Sequence, residues 1–308
     1  MQSTTTTVSA SDGIPLHTHR WLPNGDAKAV VQIAHGLGEH SARYARLAEA
    51  LTAAGYAVYA NDHRGHGRTG PEDDHGFFAD KGGWDLVVGD LRAVTRFAQA
   101  EHPGLPFFLL GHSMGSYLAR NYVIEDSREL AGVVLSATGG DPGWVGKVGP
   151  VLALTEARLR GRRHVSTLLQ NLLNGPYNAA FKPNRTSFDW LSRDDAEVDK
   201  YIEDELCGQT ARSGFFIDLA TGVARSNDRR QVARVRRDLP ILIVSGGKDP
   251  SGHNGKGPRA VRDQYASVGI VDVTCTLYPD ARHEIFNETN RDEVTADLIT
   301  WLDRHLPA

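Results

Sequence analysis

The stretch FFLLGHSMGSYLARNY, residues 107–122, places a serine at a sharp change of chain direction. It opens with four apolar residues, which is typical of a buried strand, and continues with apolar residues at helical spacing. Between these segments, Gly111 and Gly115 flank Ser113 in the pattern G-x-S-x-G. Glycines suit such a bend because a β-carbon would clash where the strand folds back onto the helix. The stretch therefore predicts a strand–turn–helix elbow that presents Ser113 as a nucleophile.

The pattern is short, and its plain alternative is a glycine-rich loop with an inert surface serine. The apolar strand before the turn and the helix after it favour the catalytic interpretation. A serine hydroxyl is a weak nucleophile at neutral pH, so it needs a histidine base that a carboxylate orients. In chains with this elbow, the expected order is serine, then aspartate or glutamate, then histidine.

Along the rest of the chain, short apolar runs alternate with amphipathic stretches, as in a parallel sheet covered by helices. The predicted strands are residues 29–34, 56–60, 107–110, 132–135, 241–244 and 271–277. The predicted helices outside the longest connection are residues 44–54, 84–100 and 293–306. The β-rich start, residues 5–21, is expected to add antiparallel edge strands. The fold class is α/β, with a mostly parallel sheet flanked by helices.

About a hundred residues separate the fourth and fifth predicted strands, whereas such connections usually take about 2–6 residues beyond their helix. The segment reads as helical, over residues 148–159, 165–173, 196–206, 215–225 and 229–237. It follows the carboxyl end of a strand, the edge where open α/β sheets bind ligands. We therefore expect an α/β core over residues 1–138 and 240–308, and a helical cap over residues 139–239. A peripheral decoration is the alternative.

Asp249 is the candidate carboxylate, because it lies just past the strand at residues 241–244. Its alternative role is a turn cap before Pro250. Asp238 precedes that strand and Asp272 begins the next one, so both are expected at the opposite edge of the sheet.

His283 is the candidate base, because it lies in the loop between the last predicted strand and the last helix. That loop opens on the same sheet edge as Ser113 and Asp249. His253 is too close to Asp249 in one loop, and His305 ends a helix, where a structural role suffices.

The oxyanion of a tetrahedral intermediate needs two N–H donors. One is expected from the backbone of Met114, which follows the nucleophile. The other is expected from Leu37, in the glycine-bearing loop after the strand at residues 29–34. Taken alone, this second segment could also be an ordinary glycine turn.

These segments resemble monoacylglycerol lipases and bacterial lysophospholipase-like serine hydrolases. The resemblance rests on G-x-S-x-G with its Met114 and on HGLGEHSARY (35–44), DHRGHG (62–67), SGGKD (245–249) and RHEIFNE (282–288). It implies an α/β-hydrolase fold and hydrolysis of single-chain lipid esters, with Ser113, Asp249 and His283 as catalytic triad. Ser116 stands where many relatives have a glycine, and residues 249–257 look more like the bacterial branch. The substrate implied is monoacylglycerol first, and a lysophospholipase or a broad esterase is the alternative.

Composition excludes several other classes. A net charge of −4 gives no bias toward nucleic acid. Two cysteines, Cys207 and Cys275, make no disulfide framework. No signal peptide or membrane-spanning run is visible, so a cytoplasmic location is expected, with peripheral membrane association left open. No cofactor is expected, and no metal either, because the histidines of residues 62–66 lack further ligand spacing.

The predicted cap is positively charged, with 16 Lys and Arg against 13 Asp and Glu over residues 140–239. Its arginine cluster at residues 158, 160, 162 and 163 either attracts an anionic lipid surface or forms a solvated helix face. Apolar residues that could line an acyl pocket or belong to the core are Leu168, Leu169, Leu172, Leu173, Phe181, Phe188, Trp190, Phe215 and Phe216.

Two other functions compete with ester hydrolysis. A serine aminopeptidase would need cap carboxylates to hold a substrate amine, and residues 203–205 are the obvious acidic cluster. A catalytically inactive binding module of this fold would usually lack a triad or oxyanion element, and all of them are present in this sequence. The sequence makes no prediction of oligomeric state.

Overall fold

The structure, a computed structural model, describes residues 1–143 and 145–307. Its centre is an eight-stranded sheet in the order β1-β2-β4-β3-β5-β6-β7-β8. The strands are β1 (Gln2–Ser9), β2 (Pro15–Leu22), β3 (Ala29–Ala34), β4 (Tyr56–Asn61), β5 (Phe107–His112), β6 (Gly132–Ser136), β7 (Ile241–Gly246) and β8 (Val273–Tyr278). β1 and β2 pair antiparallel at one edge, and β3 to β8 run parallel. The predicted fold class is confirmed, including the antiparallel start.

The helices are α1 (Ala45–Ala53), α2 (Gly83–Glu101), α3 (Met114–Glu125), α4 (Val145–Arg160), α5 (Thr167–Ala179), α6 (Asp195–Glu203), α7 (Ser213–Asn227), α8 (Arg229–Val232), α9 (Lys256–Ser267) and α10 (Arg291–Arg304). Apolar side chains of α2, α3 and α9 pack on one face of the sheet, and those of α1 and α10 pack on the other.

The central strands are buried on both faces, which explains why their sequences are continuous apolar runs. In β3 and β5, successive side chains alternate between the two core clusters. Val30 and Leu109 pack with α2 and α3, whereas Val31 and Leu110 pack with α1 and α10. This double burial anchors the carboxyl ends of the strands, where the candidate site lies.

Helices α4 to α8 all lie between β6 and β7. α4 packs on α7, and α7 in turn packs on α2 and α3. Phe215 of α7 is fully buried in the main core cluster, so it is a core residue rather than part of a pocket. Among the described residues, no helix combines the length and apolar character that a membrane span requires.

Two helix predictions in this segment were too long. The helix predicted at residues 229–237 ends at Val232, because the Arg236 N–H is donated to Ser127 Oγ at 3.1 Å instead of continuing the helix. The helix predicted at residues 196–206 ends at Glu203, where Asp204 forms a turn by accepting a hydrogen bond from the Leu206 N–H at 2.9 Å.

Candidate active site

Ser113 lies at the junction of β5 and α3 with φ 52° and ψ −116°, a conformation that L-residues rarely adopt. The two flanking glycines make this bend possible. A β-carbon on Gly111 would lie 2.2 Å from the carbonyl oxygen of Gly115, and one on Gly115 would lie 2.0 Å from that of Ala34. Both contacts are impossible for real atoms, so the glycines are required by packing.

Ser116 fits beneath the elbow without distorting it. Its buried hydroxyl donates a hydrogen bond of 2.6 Å to the carbonyl oxygen of Ser113. Ser116, where the sequence departs from the family that it resembles, therefore adds a hydrogen bond to the carbonyl of the strained Ser113.

The structure brings Ser113, His283 and Asp249 into one hydrogen-bonded line. The Ser113 hydroxyl lies 2.9 Å from Nε2 of His283, and Nδ1 of His283 lies 3.0 Å from Oδ2 of Asp249. Asp249 follows β7 and His283 follows β8, so both come from loops at the carboxyl edge of the sheet. Asp249 and His283 are buried, whereas Ser113 is partly exposed. This arrangement can take a proton from the serine and hold the resulting imidazolium.

Opposing effects set the protonation of the histidine. Burial alone would lower the pKa of His283, but the charge and hydrogen bond of Asp249 raise it above its ordinary value. Burial would likewise raise the pKa of Asp249, yet its interactions with His283 and Ser251 lower it. The pair is therefore built to carry an aspartate anion beside an imidazole that gains a proton readily.

Two aromatic rings confine the imidazole of His283. Trp190, from the segment between β6 and β7, lies 4.7 Å away between ring centroids, and His112 lies 4.9 Å away. Burial lowers the pKa of His112 to about 4, so this neighbour is neutral near pH 7 and does not compete as a base.

The loop after β3 lies beside the nucleophile, since a β-carbon on Gly36 would be 3.2 Å from Cβ of Ser113. Hydrogen bonds hold the loop on both sides of Leu37. The Gly36 N–H is donated to Glu39 Oε1 at 2.5 Å, and the Gly38 carbonyl accepts from the Tyr201 hydroxyl at 2.8 Å. Within residues 1–143 and 145–307, the N–H groups of Leu37 and Met114 have no protein acceptor. Both are free to donate to a bound oxygen.

His35 supports the same loop from behind. Its Nε2 accepts a hydrogen bond of 2.9 Å from the backbone N–H of His63, so its proton resides on Nδ1. Nδ1 donates to the Gly36 carbonyl at 2.8 Å, which polarises the peptide that carries the Leu37 N–H. Burial holds the pKa of His35 well below its usual range, so the ring stays neutral.

A buried ion-pair network links this loop to the histidine loop. Arg43 binds Glu39 at 2.9 Å and Glu284, the neighbour of His283, at 2.6 and 2.7 Å. These side chains line a small cavity with His112. Glu39 and Arg43 lie within the sequence motifs, but the motif pattern marks no role for either residue. No sequence pattern marks Tyr201, because it is distant in the chain from the loop that it contacts.

The rejected candidates lie elsewhere or have structural partners. His305 and Asp272 bind one another at 2.9 Å, at the start of β8. Asp62 accepts hydrogen bonds from the Ser41 N–H and the Arg68 N–H, each at 2.8 Å, as expected of a structural loop.

One further cluster has metal-ligating side chains. Atoms of His40, Asp204 and Cys207 lie within 4.8 Å of one another. His40 and Asp204 already bind each other at 2.8 Å, so this pair is satisfied without an ion.

Comparisons with known proteins give one consistent family. A family model described as serine aminopeptidase, S33, matches residues 25–290. The monoacylglycerol lipase of Mycolicibacterium smegmatis is 33% identical over 93% of this chain and 92% of its own length, and the monoglyceride lipase of Homo sapiens is 30% identical over 96% and 88%. A carboxyl esterase from Bacillus coagulans, solved with glycerol, superposes with a TM-score of 0.90 at 28% identity and covers 98% of each chain.

Proposed function

The chain belongs to the α/β-hydrolase family described as serine aminopeptidase, S33, and is a serine ester hydrolase; we propose that it hydrolyses monoacylglycerols through a covalent acyl-enzyme on Ser113. The observation that carries the mechanism is the hydrogen-bonded line from Ser113 through His283 to Asp249. The assignment of the substrate rests on the relatives, which include monoacylglycerol lipases from one bacterium and from mammals.

In acylation, Ser113 Oγ attacks the ester carbonyl carbon while its proton passes to Nε2 of His283. Asp249 stabilises the imidazolium that forms. The carbonyl oxygen becomes an oxyanion, which the N–H groups of Leu37 and Met114 receive. The intermediate collapses as the bond to the glycerol oxygen breaks, and that oxygen takes the proton from His283. The products of this half-reaction are free glycerol and an acyl-serine ester.

Deacylation repeats these steps with water. His283 accepts a proton from the attacking water, the same two N–H groups receive the oxyanion, and Ser113 Oγ leaves with the proton from His283. The fatty acid departs and the serine is restored. The cycle needs no cofactor, because every proton is exchanged among these groups, the substrate and water.

We propose that residues 139–239 act as a cap over this site. Within this segment, Trp190 packs with Tyr177, Phe181, Phe188 and Tyr201 in an apolar cluster, and its ring lies against His283. An acyl chain that reaches Ser113 would pass beside this cluster, which supplies apolar and aromatic contacts. A covered site of this kind favours a single chain over the three chains of a triacylglycerol.

The aminopeptidase alternative, which the family description suggests, has less support from the site. Glu203 and Glu205 of the acidic cluster are exposed, and Asp204 is engaged with His40. Two of the three carboxylates therefore lie in solvent and the third is already paired, which does not favour a dedicated site for a substrate amine. A lysophospholipid is the nearest competing ester, because it differs from a monoacylglycerol only in the head group.

We also propose that the cap contacts an anionic membrane surface while the enzyme takes up its substrate. Exposed apolar residues on α4 and in the α5 region are Val148, Val151, Leu152, Leu154, Leu159, Val165, Leu168 and Leu172. Arg158 and Arg160 flank Leu159 and are exposed, whereas Arg162 and Arg163 are paired with carboxylates. Apolar side chains beside exposed arginines suit an interface of acyl chains and anionic head groups.

The proposal is tested by a side-by-side assay of monoacylglycerol, lysophosphatidylcholine, triacylglycerol and an aminoacyl anilide. Monoacylglycerol is expected to give the highest kcat/KM, and a fluorophosphonate probe is expected to label the wild type but not Ser113→Ala. Preference for the anilide would contradict the proposed ester substrate and indicate an amide substrate instead. Preference for triacylglycerol would contradict the covered site, and labelling of Ser113→Ala would contradict the nucleophile.

A further inference from the structure

A second serine contacts both partners of the nucleophile. Ser251 lies two residues after Asp249, in the loop between β7 and α9. Its hydroxyl oxygen lies 2.8 Å from Asp249 Oδ1 and 3.0 Å from Nδ1 of His283. Its backbone N–H also donates to Asp249 Oδ1, at 2.9 Å. Neither the sequence motifs nor the triad pattern assigns this residue a role.

The donor and acceptor roles in this contact follow from the partners. Asp249 is an anion and can only accept, so the Ser251 hydroxyl proton points to its Oδ1. Nδ1 of His283 carries the proton that it donates to Asp249 Oδ2, so a lone pair of Ser251 Oγ faces that same N–H. The Nδ1 proton is therefore shared between a carboxylate oxygen and a hydroxyl oxygen.

We infer that Ser251 is a positioning residue of the catalytic site, which orients the Asp249 carboxylate and stabilises the imidazolium of His283. The inference rests on the proposed role of Ser113, His283 and Asp249. The hydroxyl dipole places its negative end 3.0 Å from Nδ1, where positive charge develops as His283 takes the serine proton. It also holds Oδ1, so that Oδ2 stays opposite the imidazole.

Other charged and titratable groups near His283 do not duplicate this contact. Glu284 and Glu39 act on it by charge and are themselves bound to Arg43. His112 faces the ring but is neutral near pH 7, and Trp190 carries no charge. Besides Asp249, Ser251 is the group within the described chain that hydrogen-bonds Nδ1.

The test compares Ser251→Val with Ser251→Thr, which have nearly the same shape and differ in one hydroxyl. Ser251→Ala serves as a third variant in case the branched side chains are not accommodated. We expect Ser251→Val and Ser251→Ala to lower kcat/KM about three- to tenfold, the range for one lost hydrogen bond, with Ser251→Thr close to the wild type. The rate constant for fluorophosphonate labelling of Ser113 is expected to fall by the same factor, since it reports nucleophile activation without acyl-chain binding.

The pH profile separates positioning from a purely structural role. Without the hydroxyl dipole the imidazolium is less stable, so the acid limb of kcat/KM moves to lower pH in the Val and Ala variants and stays in place in Ser251→Thr. Unchanged rates and an unchanged acid limb in Ser251→Ala would overturn the inference. Equal losses in Ser251→Thr and Ser251→Ala would overturn it as well. Wild-type enzyme that resists the probe would instead refute the proposed nucleophile.

Discussion

At residue 113 the backbone is held in a strained conformation so that a hydroxyl can face the histidine. A non-glycine residue at φ 52° and ψ −116° costs about 1–3 kcal/mol, which the surrounding packing must offset. The strain is local, because the glycines on either side allow the close approach of strand and helix. The backbone conformation at Ser113 therefore places the hydroxyl toward His283 and lowers the stability of the fold.

Replacement of Ser113 separates its proposed chemical role from the energetic cost of its backbone conformation. We expect Ser113→Ala and Ser113→Gly to abolish ester hydrolysis, and Ser113→Gly to be more stable than Ser113→Ala by about 1 kcal/mol, since glycine adopts positive φ freely. Thermal or urea unfolding of the two variants measures the difference. Equal stability would show that the bend at this residue is unstrained.

In the proposed mechanism, Asp249 determines the pH range in which His283 acts as base. Because the pKa of His283 is raised above 6.5, kcat/KM should fall as the pH drops through a value above 6.5. Asp249→Asn should lower kcat/KM by several orders of magnitude, about 10⁴-fold in a comparable triad, and shift the residual acid limb to lower pH. A full pH profile of both proteins checks this. A loss below about tenfold would mean that another carboxylate orients His283.

At the scale of elements, helix α6 reaches the loop that is proposed to receive the oxyanion. The Tyr201 hydroxyl donates to the Gly38 carbonyl and accepts from the Gly208 N–H at 3.1 Å, so a segment between β6 and β7 fixes a loop of the sheet edge. This contact couples the position of the proposed cap to the geometry around Leu37.

Tyr201→Phe removes that hydrogen bond and keeps the ring packed on Phe188. Since the oxyanion forms only in the transition state, we expect kcat to fall about three- to tenfold with KM nearly unchanged. Tyr56→Phe is the control. Tyr56 is the first residue of β4, at the sheet edge opposite the site, and its hydroxyl donates to Asp303 of α10. A rise in KM alone would assign Tyr201 to substrate binding instead.

The exposed face of α4 can be tested apart from the chemistry. Val151 and Leu159 are 60% and 80% exposed, and the double replacement V151Q with L159Q should weaken binding to vesicles of anionic phospholipid. Hydrolysis of a water-soluble short-chain ester should not change. V271Q is the matched control, since Val271 is 83% exposed but lies outside residues 139–239. Vesicle binding equal to that of the wild type would remove the membrane proposal.

For the whole molecule, the proposed cap over Ser113 should produce selectivity for the length of the acyl chain. Each methylene buried beside the cap contributes about 0.8 kcal/mol, or about a fourfold increase in kcat/KM, until the apolar space is filled. A series of saturated monoacylglycerols from short to medium length measures this. A flat series would show that the acyl chain stays in solvent, and the apolar cluster around Trp190 would then have only a packing role.

The sequence alone determined the α/β class, the elbow and the chain order of the three site residues. These depend on local patterns: double-sided burial produces continuous apolar strands, and the bend at Ser113 tolerates only glycine on either side. It also placed Asp249 and His283 at one sheet edge, because the carboxyl ends of parallel strands meet there. The structure brings all three together at hydrogen-bond distance.

Only the tertiary structure decided which distant side chains support that line. The contacts of Tyr201 with Gly38, of Ser251 with His283, and of Arg43 with Glu284 join separate parts of the chain, and no local spacing marks them. It also showed that Phe215 packs in the core and Trp190 against His283, although both are aromatic residues of the segment between β6 and β7. Periodicity indicates that a residue is buried, but the partner that buries it is set by how the chain folds back on itself.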